Sequence, residues 1–180
     1  MQVVYERCCG LDVHQKTVVG CRLLSQPKGA VTKEIRTFST TTSGLMELDH
    51  WLAEGQVKQV ALESTGIYWR PIFNLLEDRY EILLVNAQHM HAIPGQKTDI
   101  KDSEWIADLL RHGLLKASFI PPKPIRELRD LVRTHTHLMQ ERSRHINRIH
   151  KILETANIKL GAVVSDVVGK SGRQMLETLI

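Results

Sequence analysis

Residues 2–25, QVVYERCCGLDVHQKTVVGCRLLS, decide how the chain begins. Residues 2–11 and 17–25 are rich in β-branched and small apolar side chains, and the polar DVHQK lies between them. The pattern predicts two strands joined by a tight connection, a hairpin with Asp12 at its tip. The turn-forming QPKG follows, and then AVTKEIRTFST, where polar residues separate Val31, Ile35 and Phe38. That is a third strand, and three short consecutive strands predict an antiparallel meander.

Beyond residue 40 the period changes from two to that of a helix. In TTSGLMELDHWLAEG, Leu45, Leu48 and Leu52 fall on one helical stripe, with Ser43 as the expected cap and Gly55 as the stop. VKQVALEST is a short apolar strand ending at Glu63, GIYWRPIFNLLEDR a helix with Pro71 in its first turn, and YEILLVNA another buried strand. A further helix opens at Asp99 in GQKTDIKDSEWIADLLRHG, residues 95–113. The order β-β-β-α-β-α-β-α predicts an α/β domain: a mixed sheet with helices on both faces.

Pro121, Pro122 and Pro124 in SFIPPKPIRELRD cannot continue the preceding helix and mark a boundary. After them Leu128, Leu131, His135, Leu138, Arg142, His145, Ile149 and Ile152 trace a 3, 4, 3, 4 spacing. This predicts a long helix of coiled-coil type that packs against a partner helix, its seam apolar at both ends and polar in the middle. The tail from Gly161 reads as a Gly-rich connection followed by a helix from about Ser171, and its uncapped end suggests that the chain is part of something longer. The expected organisation is a first domain over 1–120, a basic helix over 121–160, and a linker with the start of a further domain over 161–180.

The 24 Lys and Arg against 20 Asp and Glu leave a net charge of only +4, so the balance itself names no partner. Its distribution says more. Basic residues outnumber acids between Lys116 and Lys159, and Arg142, Arg144, Arg148 and Lys151 are the candidates for binding nucleic acid. An ordinary solvated amphipathic helix accounts for the same charges. Cys8, Cys9 and Cys21 are odd in number with two adjacent, which fits neither a disulfide framework nor zinc spacing and reads as small buried apolar groups in a reducing cytosol. No apolar run of membrane length or signal-peptide pattern appears, so the expected location is cytoplasmic, without a membrane partner.

Four acids stand where such a sheet places its chemistry, beyond the carboxyl ends of its strands. Asp12 ends the first strand, Glu63 ends the fourth, and Asp99 and Asp102 open the last helix of the domain. Asp99 as N-cap and Asp102 in the first turn have a structural reading as a capping pair. Asp12 equally reads as a turn residue. If the first and fourth strands run side by side in parallel, as in a ribonuclease H-like sheet, the four converge. Such a cluster calls for hard divalent cations, Mg2+ or Mn2+, which suit carboxylate and water ligands and support in-line phosphoryl transfer. Lys97 and Lys101 would meet phosphate or screen the acids, whereas His14, His89 and His91 lack partners at metal spacing. No Gly-rich phosphate loop accompanies GLDVH, which argues against an actin-like kinase.

GLDVHQKT, ALESTGIYW and PGQKTDIKDSEWIADLLRHGLL, followed by FIPP, a long basic helix and the closing GKSGRQMLETLI, resemble the DEDD insertion-sequence transposases, the family that includes the Piv DNA invertase. The resemblance implies a RuvC-like domain whose Asp, Glu, Asp and Asp match Asp12, Glu63, Asp99 and Asp102. It also implies a coiled coil that assembles a homo-oligomer, DNA as substrate, and in some members a structured guide RNA. The implied activity is DNA transposition or recombination by metal-dependent strand cleavage and transfer. Family members carry a nucleophilic serine in a further C-terminal domain, and Ser64, Ser165 and Ser171 are not assigned that role. The alternative expectation is therefore a catalytically incomplete remnant that binds RNA or DNA and dimerises.

Overall fold

The computed structural model describes residues 2–26, 29–64, 66–86 and 102–179. The chain divides into two compact units, Met1–Ile120 and Pro121–Ile180.

The first unit holds strands β1 (Arg7–Val13), β2 (Thr17–Ser25), β3 (Val31–Ser39), β4 (Gln59–Glu63) and β5 (Glu81–Val85) with helices α1 (Thr42–Glu54), α2 (Trp69–Leu76) and α3 (Asp102–Arg111). The strands form one sheet in the order β3-β2-β1-β4-β5. The pairs β1–β2 and β2–β3 are antiparallel, and β4 runs parallel to both β1 and β5. This is a ribonuclease H-like, RuvC-type mixed sheet, with the first and fourth strands adjacent and parallel as that fold requires.

Alternation along each strand sends successive side chains to opposite faces. Cys9, Leu11 and Val13 of β1 join Val60 and Leu62 of β4 beneath Leu45, Leu48 and Leu52 of α1 and Ile72 and Leu76 of α2. Cys8 of β1 and Ala61 of β4 face the other way, with Cys21, Leu23 and Val85, onto Ile106, Ala107 and Leu110 of α3. The helices thus cover both faces. Each fully buried leucine of α1 contributes roughly 1.5–3 kcal/mol, and that face holds the larger of the two apolar clusters.

Local chemistry explains where the element bounds depart from expectation. The first strand starts at Arg7, because Val4 and Tyr5 donate instead to the Arg111 carbonyl at the end of α3. Asp12 lies within the ladder, opposite Val19, and not at the hairpin tip. Thr41, not Ser43, caps α1: its Oγ1 accepts from Gly44 N at 3.3 Å. Gly55 ends the helix as expected.

In the second unit α4 (Lys123–Thr155) runs for 33 residues, followed by α5 (Leu160–Val163) and α6 (Lys170–Glu177). The short α5 occupies part of the stretch read as a Gly-rich connection. Its Leu160 packs with Leu153, Val167, Ile149 and Leu176 in a small apolar cluster. Ile149 of the proposed seam therefore serves this unit's own packing, while Leu128, Leu131, Leu138 and Ile152 stay exposed. No helix among the described residues is long and apolar enough to cross a membrane.

Candidate active site

Register places two of the acids. Leu11 of β1 pairs with Leu62 of parallel β4, so the next residues, Asp12 and Glu63, stand beside each other at the carboxyl ends of neighbouring strands. Both fall on the face shared by Cys8 and Ala61, the face that α3 covers.

Helix α3 brings the third acid. Its contacts run antiparallel to β1: Arg111 lies over Val4 and Tyr5, Ala107 over Cys8, and Ser103 over Gly10. The amino end of α3 therefore arrives at the carboxyl edge of the sheet, carrying Asp102. Small residues permit this approach. A Cβ on Gly10 would stand 2.5 Å from the Ser103 carbonyl oxygen and 2.9 Å from Ala107 Cα, and it would also clash with Ala107 N. An ion pair between Lys33 Nζ of β3 and Glu104 Oε2 at 2.8 Å holds the same helix end.

The electrostatics follow from this geometry. Burial pushes the Asp12 carboxyl above its ordinary range; nearby His14 opposes the shift, and Asp102 and Glu63 add to it. Asp12 on β1 thus senses an acid on β4 and another on α3. His14 Nε2 lies 3.2 Å from Asp12 Oδ2, so its hydrogen-bonding role is to hold one oxygen of that carboxylate. The positive end of the α3 dipole offsets part of the negative charge. The sequence reading gave His14 a solvated or hydrogen-bonding role rather than a metal-ligating one, and its contact with Asp12, just beyond the end of β1, is of the hydrogen-bonding kind.

An all-carboxylate set suits a hard divalent cation, so the chemistry of these donors fits Mg2+ or Mn2+. Among the described residues, no group of three or more His, Cys, Asp or Glu side chains is arranged to hold a metal ion. Asp99, the fourth acid, lies outside the described residues, as do Lys97, Lys101, His89 and His91.

Of the candidate nucleic-acid contacts, all four are exposed on α4. At about 100° per residue, Arg144, Arg148 and Lys151 share one face, whereas Arg142 sits on roughly the opposite side. The cysteines are buried. Burial pushes the thiols of Cys8 and Cys21 up to about 12 and about 11, the values of inert groups.

Comparison with known proteins matches residues 9–158 to the DEDD family of IS110 elements, described as "Transposase". No curated protein matches the chain. Among solved structures it is similar to Thermus thermophilus RuvC in complex with a Holliday junction substrate, at 10% identity and a TM-score of 0.42, covering 62% of this chain and 99% of that one. It is also similar to the fowlpox virus Holliday junction resolvase, at 12% identity and a TM-score of 0.36, covering 51% of this chain. The chain spans 65% of that resolvase's length. The match over residues 9–158 leaves out only residues 1–8 and 159–180, and on it the chain belongs to the DEDD transposase family of IS110 elements.

Proposed function

We propose that this chain is the RuvC-like catalytic half of a DNA transposase or recombinase, in which Asp12, Glu63, Asp99 and Asp102 hold Mg2+ or Mn2+ and support DNA strand cleavage and transfer. The observation that carries the reading is geometric: Asp12 and Glu63 follow the paired Leu11 and Leu62 on parallel strands, and α3, which opens with Asp102, crosses β1 at backbone distance over Gly10. A structural capping pair would not need partners from β1 and β4. When bound, divalent cations supply charge neutralisation of the transferring phosphoryl group and activation of the attacking oxygen. The chain's own part is to aim the carboxylates: β1 and β4 fix two by register, α3 delivers the third, and His14 orients Asp12.

The second unit supports binding and assembly. Arg144, Arg148 and Lys151 on one face of α4 suit phosphates of DNA or of a structured RNA. The exposed leucines on the seam suit a second copy of the chain. These features alone also fit a second reading: a nucleic-acid-binding, dimerising protein without strand cleavage.

Calorimetric titration of Mg2+ or Mn2+ discriminates them. The first reading expects binding by the wild-type chain and none by the Asp12→Asn, Asp102→Asn double variant. Equal behaviour of the two proteins, with and without DNA, refutes it and leaves the second reading.

A further inference from the structure

Ser103, the residue after Asp102 on α3, is fully buried, yet its Oγ has no hydrogen-bond partner. Among the described residues the only other buried side-chain nitrogen or oxygen in that condition is Arg111 Nε, and the Arg111 guanidinium still donates through Nη2 to Ser25 Oγ at 3.3 Å. A buried hydroxyl without a partner forfeits the hydrogen bonds that it makes to water in the unfolded chain. Packing does not ask for it. Ala107, one turn further along the helix, is equally buried and meets the same Gly10, so an alanine side chain suits this stripe of α3.

The fold decides which way the hydroxyl leans. Ser103 lies over Gly10, its carbonyl oxygen 2.5 Å from the place of a Cβ on that glycine. Every Cα–Cβ bond of a helix tilts toward the amino end, and the amino end of α3 lies at the carboxyl edge of the sheet. The side chain therefore leans along β1 from Gly10 toward Asp12, and away from Cys8. Gly10 and its β4 neighbour Ala61 offer no polar side chain, and Val19 opposite Asp12 is apolar. The next polar groups on this face are Asp12 and Glu63, and Asp12 is on the strand that Ser103 crosses. Two residues of strand cover roughly 6.5–7 Å, a gap that a serine and an aspartate side chain span between them with one hydrogen bond.

We propose that Ser103 is a positioning residue of the acid site, its hydroxyl donating to Asp12 Oδ1 when a divalent cation neutralises Asp12 and Asp102 together and draws the amino end of α3 onto β1. His14, 60% exposed in its side chain, stands 3.2 Å from Oδ2 and holds that oxygen from the solvent side. Ser103 holds the other from the buried side. A carboxylate offers about four lone-pair sites, so one hydrogen bond on each oxygen leaves room for the cation. Partners of this kind orient a metal-binding carboxylate without touching the metal. The inference rests on the reading of the acids as a metal site and names what fixes its buried side.

The test compares the full chain with its Ser103→Ala variant in two measurements. Urea unfolding in EDTA, followed by tryptophan fluorescence, reads stability without metal; calorimetric titration of Mn2+, alone and with double-stranded DNA present, reads the site. Ser103→Ala should be at least as stable as the wild type in EDTA, because the orphaned hydroxyl is gone. It should bind Mn2+ about 10- to 100-fold more weakly, the usual effect of losing the partner behind a metal ligand. A merely structural hydroxyl cannot give that combination. Lower stability in EDTA, or failure to fold, marks the hydroxyl as structural and overturns the proposal, and so does wild-type affinity for Mn2+. The Asp12→Asn, Asp102→Asn variant separates the two readings. Mn2+ binding that this variant loses and Ser103→Ala keeps in full leaves the metal site standing and refutes the role of Ser103. No binding of Mn2+ by the wild type, with or without DNA, refutes the metal site itself and the role of Ser103 with it.

Discussion

Gly10→Ala is the sharpest test of how the site is assembled. The added methyl would meet the Ser103 carbonyl oxygen at 2.5 Å and Ala107 Cα at 2.9 Å, both backbone atoms that no rotamer change can move. Ordinary contact needs about 3.5–4.0 Å, so α3 must withdraw by roughly 1 Å. Overpacking of this kind costs about 1–3 kcal/mol, and the gain of about 0.4–1 kcal/mol from stiffening the unfolded chain offsets part of it. A net loss of about 1–2 kcal/mol corresponds to a fall in Tm of roughly 3–10 °C for a unit of this size. All three tryptophans, Trp51, Trp69 and Trp105, lie in the first unit, so urea unfolding followed by their fluorescence reads this unit specifically. Gly20→Ala is the control: its nearest neighbours are the Trp51 ring at 3.0 Å and the Leu11 side chain at 3.3 Å, which can yield. Wild-type stability in Gly10→Ala, within about 0.5 kcal/mol, would refute the close approach of α3 and the delivery of Asp102 that depends on it.

Further outcomes follow from other parts of the fold. Replacing Arg144, Arg148 and Lys151 together by glutamine should weaken DNA or RNA binding and reduce the slope of log K against log salt by up to about 2–3, as three phosphate contacts require; an unchanged slope removes α4 from the nucleic-acid surface. Leu131→Glu with Leu138→Glu should shift the chain to monomer in analytical ultracentrifugation, and an unaltered distribution would show that the exposed seam is not the contact. Folding holds Cys8 and Cys21 above the ordinary thiol value of 9.0, so the native state loses stability as pH rises through that value toward about 11 and about 12. Each thiol adds up to about 1.4 kcal/mol per pH unit in that window, and Cys8→Ala should flatten the alkaline limb of an unfolding series.

The periodicity of the sequence made the first unit legible because its strands and helices obey separate rules. Alternation marked β2 and β3, the leucine stripe marked α1, and three prolines marked the end of the sheet domain. What escaped was information carried by neighbours in space. Thr41 took the cap of α1 from Ser43 because its hydroxyl reaches Gly44 N, which spacing cannot decide. Likewise, α5 forms where Leu160 meets Leu153 and Val167, although GAVV alone has weak helical pattern. Asp12 and Glu63 were legible as strand-end residues, but their adjacency depends on the parallel pairing of β1 with β4, and the approach of α3 on the absence of a side chain at Gly10.

That glycine is where stability and site meet. A glycine at the centre of a central strand costs roughly 0.5–1 kcal/mol relative to alanine when nothing requires it, and β1 is the third of five strands. Here a requirement exists, because α3 crosses at backbone contact distance. Cys8 and Ala107 keep the rest of that crossing small, with Cys8 Sγ 3.8 Å from the Ala107 carbonyl oxygen. Larger residues at these positions would pack α3 equally well at an ordinary interlayer distance, and they would hold Asp102 further from Asp12. The seam of small residues lets α3 lie close on β1 with Asp102 at its amino end, and the raised Asp12 carboxyl at that edge follows chiefly from burial, with Asp102 and Glu63 adding to it.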